Sequence, residues 1–292
     1  MKKETARTGV FRYTDLKRRP VKFAYCMMYV IMIAISIIML LPIVWVFMSS
    51  IKSYEEFIQI PPTLIPHTFE LKNIPVVWNE MKFYRYFINS LIVCGGCVLS
   101  TLMFPGMLGY VMSRIRPKGA KLVYTILFTT MLIPTTTNLI PLYMTFINFP
   151  IFGNLSNTYW PMWISAGASV YYTILFKQFF DAVPMAYIES AKIDGCGLFR
   201  TFISIVLPLS KPIILVIGVF TFNASWNDFL MPYLLLKKTE RHTIGVALAS
   251  AERLPGNQGI IAAMFAMVVP ILVFCFMQKY IIDNMTMSGI KG

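Results

Sequence analysis

The sequence has 292 residues, of which 57% are Ala, Val, Ile, Leu, Met, Phe, Trp, Tyr or Cys and only 13% are charged, and its mean hydropathy is +0.65. Soluble domains carry charge on about a quarter of their residues, so a soluble enzyme is excluded. A formal charge of +13 suits nucleic acid, anionic lipid or a membrane-orientation signal, and the positions of the cations decide among them.

Residues 1–22 form a basic tail with Lys2, Lys3, Arg7, Arg12, Lys17, Arg18, Arg19 and Lys22, ahead of an apolar run over 23–48. That run exceeds the core of a signal peptide, about 7–15 residues, and lacks a small-x-small cleavage pattern, so it predicts a retained first span with a cytosolic N-terminus. The segment 49–85 is then external. Its Pro61, Pro62, Pro66 and Pro75, beside Trp78 and Tyr84, fit a small subdomain, a binding surface or simple packing on the spans.

A second span reads from Tyr86 to Ser113. Its Gly95, Gly96, Gly106, Gly109 and Pro105 point to close helix packing or a kink. Cys94 and Cys97 read as packing residues, because no second Cys pair or nearby His completes a metal or redox site. No disulfides are expected from the five cysteines, and no metal.

Between Lys121 and Lys177 lie 55 uncharged residues. As one helix they would measure about 82 Å against a hydrocarbon core of about 30 Å, so the stretch holds two spans. These fall near Leu122 to Phe146 and Thr158 to Phe176, parted by Asn148, Pro150, Gly153, Asn154 and Asn157. Trp160 and Trp163 read as an aromatic belt at the external interface. Spans five and six follow at Pro212 to Leu235 and Ile260 to Gln278. With six spans and both termini cytosolic, 18 Lys and Arg fall in cytosolic segments and 8 in external ones. The surplus charge is therefore mainly a topology signal and not a nucleic-acid footprint, and the basic tail also suits anionic lipid. Residues 86–283 form a core of five spans, interrupted by a cytosolic loop at 177–211, and 284–292 a cytosolic tail.

The loop is long enough to have a task. Pro184 is suited to start a helix, Gly195 to end it in the left-handed conformation, and Leu198 to Val206 reads as a second short helix stopped by Pro208. Ser190, Ala191, Gly195 and Gly197 would let a partner approach the backbone, with Met185, Ile188, Ile193, Leu198 and Phe199 as apolar anchors. The segment is either a docking element or an interfacial amphipathic helix.

Within the spans the ionisable residue is Asp228, and a carboxylate at a helix centre costs about 2.5–3.5 kcal/mol on insertion scales. With Asn223, Trp226 and Asn227 it either lines a sugar path, offering amides and a carboxylate to hydroxyls and an indole to C–H surface, or forms a helix clamp or gate. An ion-coupled carrier would place more such groups at mid-membrane. The chain has no G-x-x-x-x-G-K-[ST] phosphate loop, so it is not an enzyme and cannot hydrolyse ATP alone.

Glu189-Ser190-Ala191-Lys192-Ile193-Asp194-Gly195, followed by Phe199, Ile203, Leu207-Pro208-Leu209 and Lys211-Pro212, resembles the EAA motif of ABC importer permeases, with Ser190 where the pattern usually has Ala. Gly109 to Arg114, Asn157 to Trp160, Trp226 to Phe229, Gln278 to Ile282 and Gly289 to Gly292 are similar to carbohydrate permeases of the maltose-permease second-subunit type. The resemblance runs from Phe23 to Gly292. It implies an all-α membrane protein with six transmembrane helices, the type I ABC importer permease fold, in the cytoplasmic (inner) membrane of a bacterium. The implied partners are a second homologous permease, two cytosolic ABC ATPases and an external solute-binding protein, with a carbohydrate of oligosaccharide size as cargo. ATP and magnesium would reside in the ATPases, with no cofactor on this chain. Glu189, Ser190, Ala191, Asp194, Gly195, Leu198 and Phe199 would couple to the ATPase, and the tail at Gly289 to Gly292 would reach its interface. A polyol or glycerol-phosphate permease, or an ion-coupled carrier, are the alternative readings.

Overall fold

The computed structural model describes residues 19–80, 82–251 and 256–288, so the expectations placed on the basic tail before Arg19 and on Gly289 to Gly292 lie outside the described residues. The chain divides into two units, 1–71 and 72–292.

The first unit begins with α1 (Arg19–Ser50), which has no glycine, no charge after Lys22, and accommodates Pro42 inside the helix. Its side chains from Phe23 to Leu41 are largely exposed, as suits a helix whose solvent is hydrocarbon. After α2 (Tyr54–Phe57) the chain wraps around one carboxylate. Glu56 accepts from the Thr63 hydroxyl at 2.8 Å, the His67 N–H at 3.0 Å and the Thr68 N–H at 3.3 Å. Burial opposes its ionisation, but these hydrogen bonds outweigh it and hold the carboxyl down at about 2. Lys52 donates to the Thr63 carbonyl and lies 4.7 Å from the Trp45 ring centre.

The second unit starts with α3 (Asn73–Pro75) and a wide turn, Val76–Glu80, before α4 (Phe83–Tyr110), which runs on through another wide turn, Val111–Ile115. Then come α5 (Ala120–Thr130), α6 (Leu139–Ile147), α7 (Trp160–Gly167), α8 (Val170–Ala182) and α9 (Met185–Ile193). α10 (Leu198–Thr201) continues through a wide turn, Phe202–Val206, into α11 (Leu207–Leu209), and α12 (Lys211–Trp226), α13 (Leu230–Leu235), α14 (Ile244–Ala251) and α15 (Gln258–Ser288) complete the fold. Among the described residues there is no β-strand, only an isolated bridge between Phe149 and Gly153.

Among the described residues, Pro20–Ser50, Phe83–Ile115 and Gln258–Lys279 are each long and apolar enough to cross a membrane unbroken. The other three apolar stretches expected as spans are each divided into shorter helices. α5 ends at Thr130 and the chain passes Pro134 and a tight turn, Thr135–Asn138, before α6. Ala168 and Ser169 part α7 from α8, with the Ser169 hydroxyl capping α8 by accepting from the Tyr172 N–H at 3.4 Å. Asn227 to Phe229 part α12 from α13. Proline removes a helix donor, and Ser and Asp offer the backbone a competing acceptor, so uncharged sequence does not guarantee unbroken helix.

α4 is the axis of the second unit, packed against α7, α8, α12 and α14. Around its Phe83 end cluster Val77, Cys94, Trp226, Ile244 and Ile261. Midway, Val93 and Cys97 meet Met162 and Leu236. At the Tyr110 end Phe176, Phe180, Ile188, Phe202, Val206 and Ile217 form a third cluster. Two glycines set the helix spacing. A Cβ on Gly96 would lie 2.1 Å from the Trp163 Nε1, and one on Gly109 would lie 2.8 Å from the Phe176 Cβ and 3.0 Å from the Lys177 backbone nitrogen. Trp163, read from the sequence as a belt residue, is thus a packing residue, its indole donating to the Val93 carbonyl at 3.2 Å, whereas Trp160 is exposed.

Candidate functional site

At the Tyr110 end of the bundle, the connection from α8 to α12 folds as two short helices. α8 continues past Phe176 to Ala182, Val183 and Pro184 are extended, and α9 starts directly after the proline. α9 closes in a paired cap: the Cys196 N–H donates to the Ala191 carbonyl at 2.8 Å and the Gly195 N–H to the Lys192 carbonyl at 3.1 Å. That pattern needs a left-handed residue at its corner, and Gly195 has φ +77°. Pro208 does not stop the second helix, as the sequence suggested. The helix runs on from Leu198 through Pro208, in its last turn, to Leu209, and the chain turns by 83° only at Ser210.

The segment has two faces. Ile188 is 2% exposed and, with Ala191, Thr201, Phe202 and Val206, packs inward near Tyr110 and Phe180, so Ile188 is a core residue and not an anchor for a partner. The Tyr110 hydroxyl donates to the Leu198 carbonyl at 3.3 Å, tying the start of α10 to α4. Outward stand Glu189, Ser190, Asp194, Gly195, Leu198 and Phe199, with Ile193 at 86% and Phe199 at 65% exposure. Ser190 keeps its hydroxyl satisfied on the Ala186 carbonyl at 2.9 Å, which leaves α9 a smooth surface there. Tyr187, Ser190, Asp194, Ser204 and Pro208 line a groove of about 360 Å³ between the two helices. The outward surface thus sets the apolar side chains of Ile193, Leu198 and Phe199 beside the carboxylates of Glu189 and Asp194 and next to this groove.

A polar latch joins this segment to α4. Arg114 donates to the carbonyls of Phe180 and Val183, at the end of α8 and the start of the extended link, and reaches the Met185 Sδ at 3.3 Å. Asp181 accepts from the Ser113 hydroxyl at 2.7 Å and pairs with Lys177 at 2.7 Å and Arg116 at 3.5 Å. Burial opposes ionisation of Asp181, but the hydrogen bonds from Lys177 and Ser113 and the nearby cations hold its carboxyl below the usual range.

The second set of sequence-selected residues does not come together as one site. Trp226 is 3% exposed, donates its indole N–H to the Ala266 carbonyl at 3.0 Å and stacks on Phe222, so it is a core residue and cannot offer a sugar a face. Asn223 on α12 and Asn227 just past its end are exposed, with Asn227 donating to the Asn223 side-chain oxygen at 3.0 Å. Asp228 turns elsewhere. It accepts from the Met231 N–H at 3.4 Å and borders a cavity of about 400 Å³ whose wall also holds Ser165, Ser169, Tyr172, Thr221 and Ser225. Among the described residues the Ser165 and Thr221 hydroxyls are buried without a hydrogen-bond partner, so this wall has unspent polar capacity. Cys94 and Cys97 are buried and unlinked in α4, and no metal-binding cluster occurs among the described residues.

Residues 106–286, more than half of the sequence, match the family described as binding-protein-dependent transport system inner membrane component. The chain belongs to that family. It is a multi-pass permease of the inner membrane, of the carbohydrate ABC importer kind, as its motifs suggested. The permease is 28% identical over 264 residues to the arabinooligosaccharides transport system permease protein AraQ of Bacillus subtilis, with 88% of this chain and 92% of that one covered. It is 27% identical over 262 residues to the sn-glycerol-3-phosphate transport system permease protein UgpE of Escherichia coli O1:K1, covering 86% and 92%. Its fold matches a chain of a bacterial ABC transporter involved in the import of the acidic polysaccharide alginate, with a TM-score of 0.79 at 20% identity over 94% of this chain and 99% of that one. The relatives are transport permeases and not enzymes.

Sequence reasoning missed the latch. Arg114 entered it only as one topology cation and part of a motif, and Asp181 was passed over. A signal existed: a lone Asp two residues before Val183-Pro184, amid Phe176, Phe179 and Phe180, needs a partner. Ser165 and Thr221 carried no signal, since single hydroxyls are common in spans.

Proposed function

We propose that this permease is one of two homologous membrane subunits of an ATP-driven importer for a carbohydrate of oligosaccharide size. In this reading its apolar stretches make six spans, three of them broken, with both termini cytosolic. The segment from Met185 to Leu209 docks in a cleft of a cytosolic ATPase, and an external solute-binding protein delivers the sugar. ATP and magnesium are held by the ATPases. The observation that carries the reading is the two-faced segment itself: its inner face is locked to α4 and α8, while Glu189, Ile193, Asp194, Leu198 and Phe199 are offered outward. Movement imposed on that face passes through Arg114 into α4, the axis against which α7, α8, α12 and α14 pack.

The solute path runs along α12. Asn223 and Asn227 supply amides on its exposed stripe, and Asp228, Thr221 and Ser165 supply hydroxyl-binding groups in the adjoining cavity. The likeness to a glycerol-phosphate permease gives a second reading its footing, but a phosphate ester calls for a cation, and the cavity wall holds a carboxylate and no Lys or Arg. Hydroxyl-rich, uncharged cargo fits it better.

Gly195→Val tests the coupling role. A side chain at φ +77° strains the cap that aims α9. In proteoliposomes holding the whole transporter, ATP hydrolysis should persist while uptake falls. Full uptake by this variant would overturn the docking assignment.

A further inference from the structure

A second polar feature sits beside the latch and is used by nothing described so far. After the wide turn Val111–Ile115, Arg116 and Gly119 both take positive φ, and the chain reverses into α5. The reversal leaves a pocket of about 400 Å³ bordered by Arg116, Lys121, Lys177 and Tyr124. Lys177 stands 5.1 Å from the centre of the Tyr124 ring. Asp181 pairs with Lys177 and Arg116, so three cations around the pocket face one carboxylate and a net charge of two is left over. The Arg116 side chain is 67% exposed, with N–H groups to spare for a further anion.

What lies next to the pocket identifies the anion's carrier. α5 rises directly from Lys121 and buries none of its residues, and Leu122, Val123, Ile126 and Phe128 are all exposed along it. A soluble anion would have no use for that apolar wall, whereas a phospholipid would lay its chains along it with its headgroup at the base. We propose that this pocket binds the phosphate of an anionic phospholipid, with Arg116 and Lys121 as its ligands and the acyl chains against α5. A cationic pocket at the membrane end of a helix is the usual chemistry of such recognition. Bound there, the lipid would brace the reversal between α4 and α5 next to the Arg114 latch.

The test uses the permease as extracted from native membranes with its subunits, exchanged into vesicles of phosphatidylcholine mixed with phosphatidylglycerol. Native mass spectrometry then reads the lipid retained on release. Wild type should retain phosphatidylglycerol over phosphatidylcholine, and Lys121→Gln should lower that retention about fivefold. Lys121→Arg should restore it, which separates a lost charge from a damaged fold. Lys238→Gln removes one charge far along the chain, in the α13–α14 connection, and should change nothing. Equal retention of the two lipids, unaltered retention in Lys121→Gln, or complete displacement of the lipid by inorganic phosphate would overturn the proposal.

Discussion

Replacing Arg114 with Met removes the guanidinium donors of the latch while keeping most of the side chain's bulk and leaving the Asp181 contacts in place. The carbonyls of Phe180 and Val183, both in buried residues, would then lose the guanidinium. The Phe180 carbonyl keeps the Val183 N–H at 3.1 Å, so only the Val183 carbonyl is orphaned, at about 1–3 kcal/mol, and water entering beside exposed Arg116 would recover part, leaving about 1–2 kcal/mol. That corresponds to about 5- to 30-fold more frequent opening of the α8–α9 junction. Amide hydrogen exchange on the assembled transporter reads it directly. Exchange should quicken by that factor from Phe180 to Ile188 and stay unchanged in α15, which packs elsewhere on the unit. Wild-type rates across the junction would refute the latch as a structural link.

Three further outcomes follow from particular contacts. Gly109→Ala puts a Cβ 2.8 Å from Phe176 and against α8 backbone, so it should reduce the folded fraction surviving heat, read by size exclusion; Gly95→Ala, with nothing within 4 Å, should not. Glu56 has its folded carboxyl at about 2, depressed from an ordinary 4.5. Its contribution is therefore complete above pH 4.5 and is lost as pH falls through 2, so exchange protection of the His67 and Thr68 amides should persist at pH 5 and fade across that window. Thr221→Val keeps shape but deletes an unspent hydroxyl in the cavity; if sugar uses that wall, uptake by the reconstituted transporter should show a raised KM with ATP hydrolysis intact, whereas unchanged uptake removes Thr221 from the path.

The parts of this molecule legible in its sequence are those that one residue type decides alone. Charge-free runs announce α1, α4 and α15, since burial of apolar length in hydrocarbon needs no partner to specify it. Pro184 and Gly195 likewise mark the start and end of α9, because only proline's fixed φ and glycine's freedom at positive φ are at issue. What stayed hidden depends on residues far away in sequence. Ile188 and Ile193 look equivalent on a nine-residue helix with apolar side chains all round, and only α4 and α8 decide that the first is buried. Trp226 reads as a sugar platform until the Ala266 carbonyl, 40 residues on, claims its indole N–H. Arg114 looks like one of many topology cations, and its hydrogen bonds to the end of α8 become visible only once Gly109 lets the helices touch.

The central claim is that the outward face of α9 and α10 carries the ATPase. The most direct measurement is to purify the tagged permease from gently solubilised membranes, wild type beside Glu189→Arg, and identify by mass spectrometry what remains bound. Glu189 is exposed, so the reversal of charge should leave the permease folded and disturb only what docks there. The account predicts that wild type retains a second permease and a phosphate-loop ATPase, and that the variant keeps the permease partner and loses the ATPase. Retention of the ATPase by the variant would contradict the docking face, and a wild-type chain that comes out alone yet transports when reconstituted would contradict the importer itself.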